Sequence, residues 1–330
     1  VKNKLSDNKY TPVAGLPELR DAIASYYQNY FHSGWIESGN VTVTAGAKPA
    51  LTAVFMSLLN PGDEVIIPKP AWVSYQSEVE VAGGKAVFVE TTKKFDLDVS
   101  AISNAITKKT KAIVINSPNN PTGKIYSRKP LDALAELVNL HDVTLVSDDI
   151  YSRLVYSELY LPLNSEIDPA KLVIVNGFSK SQALTGWRIG YCISSQDLQS
   201  KISSLLSHTN GNAPVTSQHA AIAALEREDE PEFLHDLVDK RDQAIKLLQD
   251  IDIVSFHEPE GGFYVFVDIR SFTNNSDQFC QDLLESKGVG VVPGEAFEMP
   301  GYIRISYATN SSTLSSGLKK MKEFIEESKS

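Results

Sequence analysis

The 330-residue sequence contains two cysteines, Cys192 and Cys280, and three methionines. Two thiols outside any C-x-x-C arrangement cannot form a disulfide framework, and they fit a reducing, cytoplasmic setting. Positive charge is scarce as well: 31 Lys and Arg against 41 Asp and Glu leave a net charge of −10. That balance argues against a nucleic-acid backbone as partner. No apolar run approaches the ~20 residues of a membrane span. The six histidines show no metal-ligand spacing. There is no internal repeat, low-complexity tract or long linker. What the chain does have is length and 42% hydrophobic residues, more than one small core requires, and this points to two domains.

Helical spacing predicts a helix over Pro17–Tyr30, with Leu19, Ile23 and Tyr26 or Tyr27 on one face, and another over 49–59, stopped by Asn60-Pro61-Gly62. Strands are expected at Val41–Thr44 and 64–67. Strands and helices go on alternating to Ile193, the pattern of a mostly parallel α/β sheet covered on both faces. Helices near 214–225 and from Pro231 to about Asp250 lead to a compact α+β unit. Its strands are expected near 254–256, 263–267, 289–292 and 302–307, with helices near 276–286 and 314–328. The expected division is a large domain over 1–235 and a small one over 236–330.

Three apolar runs end on polar groups. Residues 111–116 lead into Ser117-Pro118-Asn119-Asn120-Pro121-Thr122-Gly123, and 144–147 deliver Asp148, with Tyr151 three residues on. Residues 172–175 lead to Asn176-Gly177-Phe178-Ser179-Lys180. Ends of buried strands are where open α/β sheets bind ligands. Lys180 is followed eight residues later by Arg188. A lysine amine condenses with a carbonyl, and a guanidinium grips phosphate bidentately, so this one segment suits both ends of pyridoxal phosphate (PLP). A lone Ser-Lys pair would read as solvated surface, and Asn120-Pro121-Thr122-Gly123 alone as an ordinary turn. Asp148-Asp149 could be a metal pair, but no histidine lies beside it.

Six segments in order make the chain resemble a class I aminotransferase of PLP fold type I, nearest the bacterial aspartate aminotransferase branch. They are residues 10–20, 61–65, 70–75, 120–123, 180–190 and 301–306. The resemblance implies a PLP-binding large domain and a smaller C-terminal α+β domain. It makes Lys180 the Schiff-base lysine and Asp148 the partner of the pyridine nitrogen. Asn120 and Tyr151 are implied for the phenolic oxygen, and Trp72 for the pyridine face. Ser179, Arg188 and the backbone of Gly46-Ala47-Lys48 are implied for the phosphate, and Arg304 for the substrate's α-carboxylate. Tyr10 is implied to reach the cofactor phosphate of a neighbouring subunit, hence a homodimer. No metal is implied.

The resemblance further implies amino acids and 2-oxo acids as substrates. Lys48, in that branch, faces the distal carboxylate of aspartate or glutamate, so the expected reaction is aspartate to 2-oxoglutarate transamination by a ping-pong cycle. Aromatic or N-acetyl-diaminopimelate aminotransferases and C–S lyases share the cofactor residues. So do PLP-sensing regulators, which need a DNA-binding module that this sequence does not contain. The chain opens at Val1 almost directly on the 10–20 block, and the family's N-terminal segment, which covers the active site, is expected to be missing from it.

Overall fold

A computed structural model of the chain describes residues 9–156, 160, 162, 166–226 and 233–328. A first sheet comprises β1 (Val41–Thr44), β2 (Glu64–Lys69), β3 (Lys85–Glu90), β4 (Thr110–Asn116), β5 (Thr144–Asp148), β6 (Leu172–Gly177) and β7 (Gly190–Ile193). Their spatial order is β1-β7-β6-β5-β4-β2-β3. Strands β2 to β6 pair in parallel, while β7 runs antiparallel to β6 and to β1. β4 shows why its run is apolar throughout. Ile113 and Ile115 pack into the core on one face and Ala112 and Val114 into the core on the other, as period-two side chains in a doubly covered sheet must.

Among the described residues seven helices cover this sheet: α1 (Pro17–Tyr30), α2 (Ala47–Leu58), α3 (Ser74–Val81), α4 (Val99–Ala105), α5 (Arg128–Leu140), α6 (Gln196–Thr209) and α7 (Val215–Leu225). α1, α4, α5 and α7 feed one core, and α2, α3 and α6 the other. α5 buries Leu131, Leu134, Ala135 and Val138, an amphipathic stripe at i, i+3, i+4 and i+7. α2 begins two residues before the expected 49–59 helix. Gly46, at φ 111°, turns the chain into it, and Pro49 in the first turn forfeits only an N–H that had no helical partner. Lys48 therefore sits in the first turn of α2.

A second, antiparallel sheet has the order β10-β11-β9-β8. It consists of β8 (Ser255–Phe256), β9 (Tyr264–Asp268), β10 (Val292–Pro293) and β11 (Tyr302–Ser306). Its core is closed by α8 (Leu234–Gln249), α9 (Ser276–Lys287) and α10 (Ser311–Glu327). The expected start of α8 at Pro231 lies outside the described residues. The strand expected at 289–292 shortens to Val292–Pro293, because α9 ends on Gly288 in the left-handed region at φ 67° and pairing resumes only after that turn.

Residues 259–262 join the two sheets. Glu260 N–H and Gly261 N–H donate to the Gly123 carbonyl at 2.9 and 3.0 Å, and Gly262 N–H donates to Leu154 at 2.8 Å. The Glu260 carboxylate accepts from Lys124 Nζ at 2.8 and 2.9 Å and from Ile125 N–H at 2.8 Å. Gly261 has no room for a side chain: a Cβ there would lie 2.6 Å from the Leu154 oxygen and 2.6 Å from Pro118 Cγ. Gly261→Ala is expected to lower stability by about 1–3 kcal/mol. Gly290→Ala, where nothing lies within 4 Å, should stay within about 0.5 kcal/mol of the parent. Urea unfolding of both variants checks this, and equal midpoints would show that the joint yields without cost.

Candidate active site

Asn116 on β4, Asp148 on β5 and Val175 on β6 stand in register, so three parallel strands end at one edge. The Asn116 amide donates to the Asp148 carbonyl at 2.8 Å, and its Oδ1 accepts Asn120 N–H at 2.8 Å. The first two strand ends and the following loop are thus tied together. Lys180 lies three residues beyond β6.

Asp148 is buried. Its Oδ2 accepts the Tyr75 hydroxyl at 2.6 Å and its Oδ1 the Ile150 N–H at 3.2 Å. Loss of water raises its pKa to about 6, with Tyr75, Ile150 and the positive charge of Lys180 pulling the other way. Asp149 turns to different partners: Ser147 Oγ donates to it at 2.6 Å, and burial pushes it up to about 7. The two neighbouring carboxyls thus have different hydrogen-bond partners.

Lys180 is half-buried, its Nζ 5.1 Å from the Phe263 ring centre and 6.0 Å from that of Tyr151. Burial first, then the charges of Arg304 and Arg188, hold its pKa below the usual lysine range. Arg304 reaches across from β11. Its Nη1 donates to Asn120 Oδ1 at 2.9 Å, and its guanidinium rests 4.2 Å from the Tyr264 ring centre and 5.0 Å from that of Phe297. Its Nε is buried with no hydrogen-bond partner among the described residues. An unmet donor beside a charged fork is what an incoming carboxylate would satisfy. Tyr151 O–H meets Tyr264 O–H at 3.4 Å.

Arg188 stands at φ +50°, and its Nη1 donates to the Thr185 carbonyl at 3.1 Å. A Cβ on Gly46 would lie 2.6 Å from Arg188 Nη2, and one on Gly190 would lie 2.5 Å from Ala47 N. Glycine at both positions brings the guanidinium against the N-terminus of α2, which carries no side-chain cap. Free N–H groups beside a fixed cation make an anion site. Ser179 is half-buried next to Lys180. Trp72 stands edge-on to Tyr75 at 5.4 Å, and Lys48 Nζ, on an exposed side chain, lies 4.9 Å from a Trp72 ring centre. Tyr10 is 97% exposed on its own chain.

Sequence reasoning assigned no site role to Tyr75, Asn116, Phe263 or Tyr264. Tyr75 had been noted only as part of the 70–75 segment, and nothing local says that its hydroxyl meets Asp148.

The family described as aminotransferase class I and II matches residues 2–320. An aspartate aminotransferase of Thermotoga maritima is 39% identical over 322 residues, covering 96% of this chain and 83% of the relative. A solved aspartate aminotransferase from the same organism superposes with a TM-score of 0.94 at 38% identity, covering 98% of this chain and 86% of the other. A solved aromatic aminotransferase from Pyrococcus horikoshii reaches 0.95 at 33% identity, covering 99% and 91%.

Because the folded pKa of Asp149 is raised, the unfolded chain releases that proton first. The contribution of Asp149 to stability therefore falls as pH rises from about 4 to about 7, and its loss is complete above that window. Asp149→Asn is expected to reduce the slope by at most about 1.4 kcal/mol per pH unit and to gain stability at pH 8. Chemical unfolding of cofactor-free protein across this range checks it, and an unchanged slope would mean that Asp149 ionises freely inside the fold.

Proposed function

This chain belongs to the class I and II aminotransferases, and from that premise we propose that it is a PLP-dependent aspartate aminotransferase with 2-oxoglutarate as the amino acceptor. The observation that carries the reading is a half-buried lysine set beside a buried carboxylate and an arginine whose buried Nε has no hydrogen-bond partner among the described residues.

The donor set fits PLP. Arg188, Gly46, Ala47 and the first turn of α2 would hold its phosphate, with Ser179 beside them. Asp148 would face the pyridine nitrogen, Asn120 and Tyr151 the phenolic oxygen, and Trp72 the ring face. Bound there, PLP supplies an electron sink for charge developing at the substrate's Cα. Arg304 receives the α-carboxylate through its Nε and a terminal nitrogen and so orients the Cα–H bond. The Lys180 amine, more readily neutral than a solvated lysine, takes the Cα proton. Lys48 meets the distal carboxylate. Amino donor and 2-oxo acceptor share the site in turn, the basis of a ping-pong cycle. Tyr10, unpacked on its own chain, completes the phosphate site of a second copy in a two-fold dimer.

Borohydride reduction of the yellow protein followed by peptide mapping is expected to place the pyridoxyl group on Lys180, and any other lysine would overturn the site. For the donor, a hydrogen bond between charged groups is worth roughly 1.5–3 kcal/mol, so Lys48→Ser should cut kcat/KM for aspartate about 10- to 100-fold. Phenylalanine offers no distal carboxylate, so its kcat/KM should hold or rise. An unchanged ratio of the two would remove aspartate as the preferred donor.

A further inference from the structure

Glu78 is a buried carboxylate for which the reaction above has no task. It lies on α3, 8% exposed, and its Oε2 takes a short hydrogen bond from Thr52 Oγ1 on α2. Thr52 is one helical turn beyond Lys48, and its hydroxyl also lies 3.2 Å from the Lys48 carbonyl. Lys48, Thr52, Glu78 and Arg188 line one cavity of about 620 Å³, with Met56 and Leu206 among its apolar walls. Burial lifts the Glu78 pKa, while the Thr52 hydrogen bond first and then the charge of Lys48 draw it back down. Lys48 itself rests over the Trp72 ring. Cation and carboxylate thus line one cavity.

We propose that Glu78 is a specificity-determining residue: its carboxylate provides a standing counter-charge beside Lys48 that weakens the hold of Lys48 on a donor's distal carboxylate. The inference rests on the reading of Lys48 as the group that meets that carboxylate. A second carboxylate arriving at Lys48 meets the like charge of the buried Glu78 in the cavity that both residues line, where such repulsion is larger than in water. A donor with an uncharged side chain meets no such repulsion. Glu78 therefore narrows the gap between dicarboxylic and other donors and broadens the set of amino acids the site accepts. Gln at this position keeps the shape and an oxygen for the Thr52 hydroxyl while removing the charge.

The test is calorimetric binding of two unreactive acids to the cofactor-loaded enzyme: maleate, with two carboxylates, and 3-phenylpropanoate, with one. Glu78→Gln is expected to tighten maleate about 3- to 10-fold relative to 3-phenylpropanoate, and Lys48→Ser to weaken it relatively. In the Lys48→Ser background the Glu78→Gln effect should fall below about 2-fold, because coupled residues are non-additive. If Lys48→Ser shifts the ratio and Glu78→Gln does not, the proposal fails and the Lys48 reading stands. If Lys48→Ser leaves the ratio unchanged, that reading fails and the proposal with it. A gain for maleate that persists without Lys48 would route the effect through another cation, Arg188, and would also overturn the proposal.

Discussion

The burial of Asp148 is the constraint on which the site depends. A carboxylate withdrawn from water favours its proton unless donors and cations are brought to it. Here these come from three directions: the Tyr75 hydroxyl on α3, the Ile150 N–H just beyond the strand, and the charge of Lys180. The same loss of water acts on Lys180 with the opposite sign, disfavouring its ammonium. One desolvated edge thus draws an acid upward and an amine downward, bringing their protonation ranges closer than either would be in water. A positively charged ring nitrogen at Asp148 would add the one partner that the chain does not supply.

One of the two cations proposed to bind substrate belongs to the other sheet. Arg304 stands on β11, and it reaches Asn120 only because residues 259–262 are held against the Gly123 and Leu154 carbonyls. The Lys124–Glu260 pair sits at this junction, its side chains 18% and 33% exposed. A pair this shielded is screened less than a surface one, and its Ile125 N–H bond fixes direction as well as charge. The joint thereby sets the distance between Arg304 and Lys180.

Much of this was legible in the sequence because β4, β5 and β6 are buried on both faces, and a doubly buried strand must be largely apolar along its length. Residues 111–116, 144–147 and 172–175 announced themselves so, and the polar residue after each run marked a strand end. Segments read by local rules were less exact at their edges. α2 starts at Ala47 because Gly46 takes a positive φ, and β10 is cut to two residues by the turn at Gly288. Contacts between residues far apart in sequence stayed hidden. Tyr75 meets Asp148 across 73 positions and Lys124 meets Glu260 across 136, and no periodicity in a single chain encodes such a pairing.

The two cations proposed to hold a dicarboxylic donor differ in more than position. Arg304 is walled by Tyr264 and Phe297 and tethered to Asn120. Its planar fork is already oriented, so little freedom remains to be lost when a carboxylate docks. Lys48 is exposed on a flexible stem and touches an aromatic face, so gripping a distal carboxylate requires ordering several torsions and leaving that face. On that proposal the α-carboxylate would be fixed tightly, as transfer at Cα demands whatever the donor, while the distal end would be held by a group that can release it at small cost. A site built this way can keep its chemistry constant while its preference among side chains changes through the surroundings of a single lysine.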